Sequence, residues 1–173
     1  MNPYTNLAKK AVESYILRGE FISPPGHLPQ EMLKRKAGVF VTLRRGGALC
    51  GCIGTFQPLK QNIAQEIIRN AIAAAVEDYR FGPVEKAELP LLSYEVSILS
   101  LLEKVESEQA LNPKRYGILV KTIGLPAKSA LLLPELEGID TAEKQLDVVC
   151  QKGGIDRERE KIEIFKFTVE KHQ

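Results

Sequence analysis

Residues 38–55 read Gly38-Val39-Phe40-Val41-Thr42-Leu43-Arg44-Arg45-Gly46-Gly47-Ala48-Leu49-Cys50-Gly51-Cys52-Ile53-Gly54-Thr55. Val39 to Leu43 are β-branched, aromatic or apolar and predict a strand, Gly46-Gly47 can take the positive φ angles of a tight turn, and Ala48 to Thr55 returns as a second strand. The stretch is a hairpin. Its second strand carries two thiols and two glycines where packed side chains are the rule. Glycine inside a strand gives up packing and adds chain entropy, so it marks a bulge or a close approach by another group. Leu49 to Thr55 therefore reads as a site.

Outward from the hairpin, residues 60–77 place Ile63, Ala64, Ile67, Ile68, Ala71, Ile72, Ala75 and Val76 on one broad face, with Gln61, Glu66, Arg69 and Asn70 assigned to the outside. This predicts a helix wide enough to cover a sheet. A first amphipathic helix is predicted from Pro3 to about Arg18 through Leu7, Ala11, Val12, Tyr15 and Ile16. Between that helix and the hairpin, Pro24, Pro25 and Pro29 favour an extended surface loop, placed to serve as a lid. Further strands are predicted at 92–100, 116–122, 129–133 and 161–169, and a helix at about 141–151 that Gly153 can cap. Hairpin-joined strands with helices grouped between them indicate an α+β fold.

The 173 residues fit one domain, 1–173, or a main body with a smaller subdomain, and 44% apolar content supplies a core. The formal charge of +2 argues for neither nucleic acid nor an anionic membrane as partner. Lys9, Lys10 and Glu13 break any N-terminal apolar run, and three cysteines do not form a secreted disulfide framework, so a cytoplasmic location is expected. Oligomeric state and cofactor are left unassigned. No phosphate-cradling loop or dinucleotide fingerprint is present, and His27 and His172 are the only histidines, which disfavours a histidine-rich metal centre; no metal is assigned.

Three segments carry candidate chemistry. On a regular strand Cys50 and Cys52 leave the same face, and two readings stand: Cys52 as nucleophile or redox thiol with Arg44, Arg45 or Arg80 as the cation that favours a thiolate, or both thiols as small buried hydrophobes. In Glu77-Asp78-Tyr79-Arg80-Phe81-Gly82-Pro83 two acids follow a helix C-terminus, where acids are disfavoured. Either Arg80 grips an anionic ligand with Asp78 orienting it, or the two form a structural ion pair. Glu135 and Glu137, after an apolar strand, read as turn solvation or as acid/base groups.

Taken in order, LCGCIGT (49–55), EDYRFGP (77–83), the strand ending Val96-Ser97-Ile98-Leu99, Tyr116 to Val120, Leu131 to Thr141, and Gln145 with Lys152-Gly153-Gly154-Ile155 resemble the AMMECR domain family, called AmmeMemoRadiSam system protein A in prokaryotes. The resemblance runs from about Leu7 to Val169. It implies a mostly antiparallel sheet flanked by helices, with a smaller lobe forming a cleft near the hallmark segment. It implies partnership with a Memo-type protein and a radical S-adenosylmethionine protein. The family pattern reads LRGCIGT, so Cys50 stands here where an arginine is usual, whereas Gly51, Cys52, Gly54 and Thr55 match. Two functions follow as expectations. One is an enzyme-system component with Cys52 and Asp78 as candidate catalytic residues and Gly51, Gly54, Thr55 and Arg80 as candidate ligand-binding residues. The other is a non-catalytic adaptor that presents the same surface to a protein.

Overall fold

The computed structural model describes residues 2–173, which divide into two compact units. The first comprises the residues up to Leu99 together with Glu170–Gln173, and the second Ser100–Val169.

The first unit begins with α1 (Pro3–Arg18), started by the Asn2 side chain accepting from the Tyr4 N–H and ended by Gly19 in the left-handed region. A short α2 (Gln30–Lys34) follows the proline loop. The hairpin is β1 (Val39–Arg45) and β2 (Ala48–Thr55), turned by Gly46 and Gly47 at φ 56° and 87°. Next come α3 (Ile63–Val76), a 3-10 turn at Lys86–Leu91, and β3 (Leu92–Leu99). The strand order is β2-β1-β3-β8, where β8 is Val169–His172, and β1 runs antiparallel to both β2 and β3. Helices α1 and α3 supply Leu7, Ala11, Ile67 and Ala71 to a core completed by Val39, Val41, Leu43, Val96 and Ile98.

The second unit holds β4 (Glu103–Val105), β5 (Gly117–Thr122), β6 (Ser129–Leu132) and β7 (Ile162–Phe167) in the order β4-β7-β5-β6, every pair antiparallel. Helix α4 (Ala142–Gly153) contributes Leu146, Val149 and Cys150 to a core with Ile118 and Val120. The fold is α+β, as the pattern of elements implies.

Four local expectations are corrected. Glu66 and Asn70 are not on the outside of α3; both are buried, at 1% and 3% exposure, because they sit three and seven residues after Ile63 on its inward stripe. Gly154, with φ 60°, caps α4 in place of Gly153, which is the last helical residue. The last strand is broken at Thr168, which exchanges hydrogen bonds with Ser100: its N–H donates to Ser100 Oγ at 2.9 Å and its carbonyl accepts from the Ser100 N–H at 3.0 Å. Residues before the break pair in the second sheet and residues after it in the first.

The fourth correction concerns the thiols. Leu43 opposes Gly51 but Arg44 opposes Leu49, so Cys50 is an extra residue, a bulge on the edge strand β2. The bulge interrupts the period of two, and the side-by-side placement that a regular strand would give is lost. Cys50 joins the apolar core, whereas Cys52 is half-buried.

Both hallmark glycines sit where the chain approaches itself. A Cβ on Gly51 would lie 2.0 Å from the Ala74 carbonyl oxygen of α3, and one on Gly54 would lie 2.2 Å from Phe40 Cγ, on the residue opposite it in β1. The Phe40 ring covers the edge glycine. Gly51→Ala should cost about 3 kcal/mol or more, at the top of the overpacking range because backbone must yield, as measured by urea unfolding. Gly26→Ala, at a glycine with open space around it and no positive φ, should stay within about 0.5 kcal/mol of wild type.

Candidate functional site

Cys52 lies on the edge strand with Thr42 directly opposite, and its thiol meets Thr42 Oγ1 at 3.3 Å. Its own backbone groups turn to the open edge, where no strand stands. The Cys52 N–H donates to Asp78 Oδ2 at 2.9 Å, and the Cys52 carbonyl accepts from Arg80 Nη2 at 3.1 Å. Asp78 and Arg80 thus stand in for a neighbouring strand at this one residue.

The two are joined by a forked ion pair: Arg80 Nε donates to Asp78 Oδ1 at 2.9 Å and Nη2 to Oδ2 at 2.7 Å. The Arg80 backbone N–H adds a longer bond to Oδ1 at 3.3 Å. The Asp78 side chain is only 2% exposed while that of Arg80 is 46% exposed, so a buried carboxylate is anchored by a cation that still faces water. The Arg80 guanidinium also lies over the Phe81 ring, 5.4 Å from its centroid.

This geometry gives the acids after α3 their reason. Asp78 supplies the acceptor that the Cys52 N–H needs, and Glu77 takes a forked bond from Arg69 at 3.0 and 2.9 Å. The guanidinium of Arg80, first, and the Cys52 N–H hold the Asp78 carboxyl down at a pKa of about 2. With both oxygens engaged, Asp78 is built to position Cys52 and Arg80.

Of the expected cations, Arg80 bonds Cys52, at its backbone carbonyl. Arg45 pairs with Glu88, and Arg44 touches the Gly47 carbonyl at 3.4 Å. Burial pushes the Cys50 thiol pKa up, against a smaller opposing influence of Arg45. Cys150 lies in the core of the second unit, and burial raises its pKa as well. All three cysteines are free thiols, and among the described residues no three His, Cys, Asp or Glu side chains gather as a metal site.

Thr55 belongs to a separate network. Its hydroxyl donates to Glu66 Oε1 at 2.7 Å, and Glu66 Oε2 accepts the N–H groups of Leu59 and Lys60 at 3.0 and 2.7 Å. Asn70 Nδ2 donates to the Val39 carbonyl at 2.9 Å. Glu66 is a buried carboxylate held by hydrogen bonds, and it fastens the loop after β2 onto α3. Cys52, Asp78 and Arg80 come together; Thr55 serves this second network; Gly51 and Gly54 close against the chain itself. Sequence reasoning missed Glu66, Asn70 and Thr42. The signal for the first two was their spacing of three and seven from Ile63, on the stripe that also holds Ile67.

Because the Asp78 pKa in the fold lies below the value of about 3.9 for a free aspartate, its ionised form stabilises the fold. That contribution is complete above about pH 4 and is lost as pH falls toward about 2. Urea unfolding across this window should show a drop in wild type that is smaller in Asp78→Asn. At neutral pH Asp78→Ala should cost about 2 kcal/mol, since it leaves the Cys52 N–H without its acceptor.

The AMMECR1 family model matches residues 5–172. A Thermotoga maritima protein is 44% identical over 99% of this chain and 98% of its own length. A Clostridium acetobutylicum protein is 44% identical over 99% of this chain, which spans 36% of that longer protein. The crystal structure of PH0010 from Pyrococcus horikoshii matches with a TM-score of 0.87 and 35% identity, over 97% of this chain and 88% of that one. With Cys52, Gly51 and Gly54 set in the hallmark strand and the family model spanning nearly its whole length, the chain belongs to the AMMECR1 family.

Proposed function

We propose that this chain is a component of an enzyme system in which it works beside a Memo-type protein and a radical S-adenosylmethionine protein, with the Cys52 thiol as its working group. The partners come from the family's AmmeMemoRadiSam grouping, and the site comes from the geometry. One observation carries the site: both polar backbone groups of Cys52 are held by the Asp78–Arg80 pair, while its Sγ meets the Thr42 hydroxyl. A thiol that is merely core filler needs no such grip; Cys50, two residues away, is packed in the apolar core. In this reading Cys52 is the catalytic residue, Asp78 a positioning residue, and Arg80 both a positioning residue and, through its exposed face, a contact for an anionic group. A soluble intracellular setting fits the reading; among the described residues no helix is long and apolar enough to cross a membrane.

A second reading, the adaptor, has an observation of its own. Tyr79 stands between the two members of the ion pair and is 94% exposed, so a fixed turn presents an aromatic ring of the type enriched where proteins dock.

Alkylation by iodoacetamide at neutral pH, mapped by mass spectrometry, should modify Cys52 and leave Cys50 and Cys150 at least about tenfold slower, because those two are buried thiols with raised pKa values. Arg80→Gln should change the Cys52 rate by about threefold or more, and co-expression with the two partner proteins should yield a complex whose activity is lost in Cys52→Ala. A Cys52 that reacts no faster than the buried thiols would end the catalytic reading. Capture of the partners that survives Cys52→Ala but fails in Tyr79→Ala would establish the adaptor.

A further inference from the structure

On the sheet of the first unit, Cys52, Thr42 and Glu95 form one row across three strands: Thr42 opposes Cys52 on one side and Glu95 on the other. Opposed residues share a face, and so do residues two apart along a strand, so Arg44 stands on the same face as Thr42. Beside this row is a cavity of about 290 Å³ lined by Arg44, Ser93, Tyr94, Glu95 and Gln173.

Two opposite charges meet there without cancelling. Arg44 opposes Ser93, which makes it a diagonal neighbour of Glu95, at a Cα separation of about 7–8 Å that an arginine can span. Among the described residues, however, the Arg44 guanidinium is bonded only to the Gly47 carbonyl at 3.4 Å, and Glu95 only to Gln173 Nε2 at 2.7 Å. A long, weak bond to a carbonyl leaves most of the guanidinium's five donors open, and a carboxylate that accepts one amide keeps further lone pairs. The cavity therefore offers one group for an anion and one for a cation at diagonal positions of neighbouring strands, with the Ser93 hydroxyl and the Gln173 amide in the same lining.

We propose that this cavity binds a small zwitterion of amino-acid type, its carboxylate on Arg44 and its ammonium on Glu95. The size agrees, since about 290 Å³ falls just below the range of sites for drug-sized ligands and suits a single amino acid better than a nucleotide or a peptide. Neither half alone satisfies the site: a simple carboxylate leaves Glu95 facing Arg44 across an empty gap, and a simple amine leaves Arg44 open. Cys52 is two strands from Glu95, about 10 Å. The proposal deepens the reading of Cys52 by naming the class of molecule set beside it, and that link alone rests on the reading; binding does not.

The test is titration of the full chain with the common L-amino acids one by one, followed by amide NMR and calorimetry, with acetate and methylammonium as the separate halves. At least one amino acid should shift the amides of Arg44, Ser93 and Glu95, with each half binding about tenfold more weakly or not at all. Arg44→Gln and Glu95→Gln should each weaken binding about tenfold, and thermal melts should confirm that both exposed-face variants are folded. The proposal is overturned if no amino acid shifts these amides, if binding is unchanged in both variants, or if acetate binds as tightly as the zwitterion. Cys52 alkylation is read separately. Amino-acid binding with an inert Cys52 would keep this proposal and remove the thiol reading, and a reactive Cys52 without binding would do the reverse.

Discussion

The first unit is organised by how closely α3 lies on β2. The Ala74 carbonyl oxygen occupies the space of a side chain at Gly51, so helix and strand meet backbone to backbone. Three consequences share that origin. The helix must be lined by small residues near its end, and Ala71, Ala74 and Ala75 provide them. The residues just beyond the helix are delivered to the strand's open edge, which puts Asp78 within reach of the Cys52 N–H. At its other end the helix is fastened by Glu66 and Asn70 to Thr55 and Val39. A helix pinned to β2 at Gly51 and again at Thr55 leaves little freedom for the residues between them, and Cys52 is the first of these.

Much of this was legible in the residues. The hairpin, α1, α3 and the antiparallel strands follow from periodicity and turn chemistry, and the glycines of the hallmark strand were rightly read as places of close approach. What approaches was not legible. A glycine reports that space is needed; it does not say whether a ligand, a ring or a helix takes it, and here Phe40 and Ala74 do. Asp78 was visible as an acid in the wrong place, at a helix C-terminus, but its partner is 26 residues earlier in the chain, and only the three-dimensional register of α3 on β2 shows it.

Other misses share a cause. The polarity of Glu66 and Asn70 points outward, yet their spacing from Ile63 places them inward, and hydrogen bonds offset the burial. The glycines signal a bulge in this strand, but the residue it falls on, Cys50, shows only in the register with β1. The bulge separates the thiols by environment: one joins the core with its pKa raised by burial, and the other stays half-buried beside Thr42. Cys50 is thus a residue of the interior in this chain.

Edge strands expose unpaired N–H and C=O groups on which another chain can add a strand of its own. At Cys52 that risk is removed by side chains, because the Asp78–Arg80 pair already occupies both groups. The fork that aims the thiol therefore also acts as a guard against strand addition. Asp78 is ionised at all but strongly acid pH, so the guard stands under ordinary conditions and would open only where the carboxylate is protonated. A protein that must present a thiol from the border of a sheet has, in this pair, a way to close that border at the residue that carries the thiol.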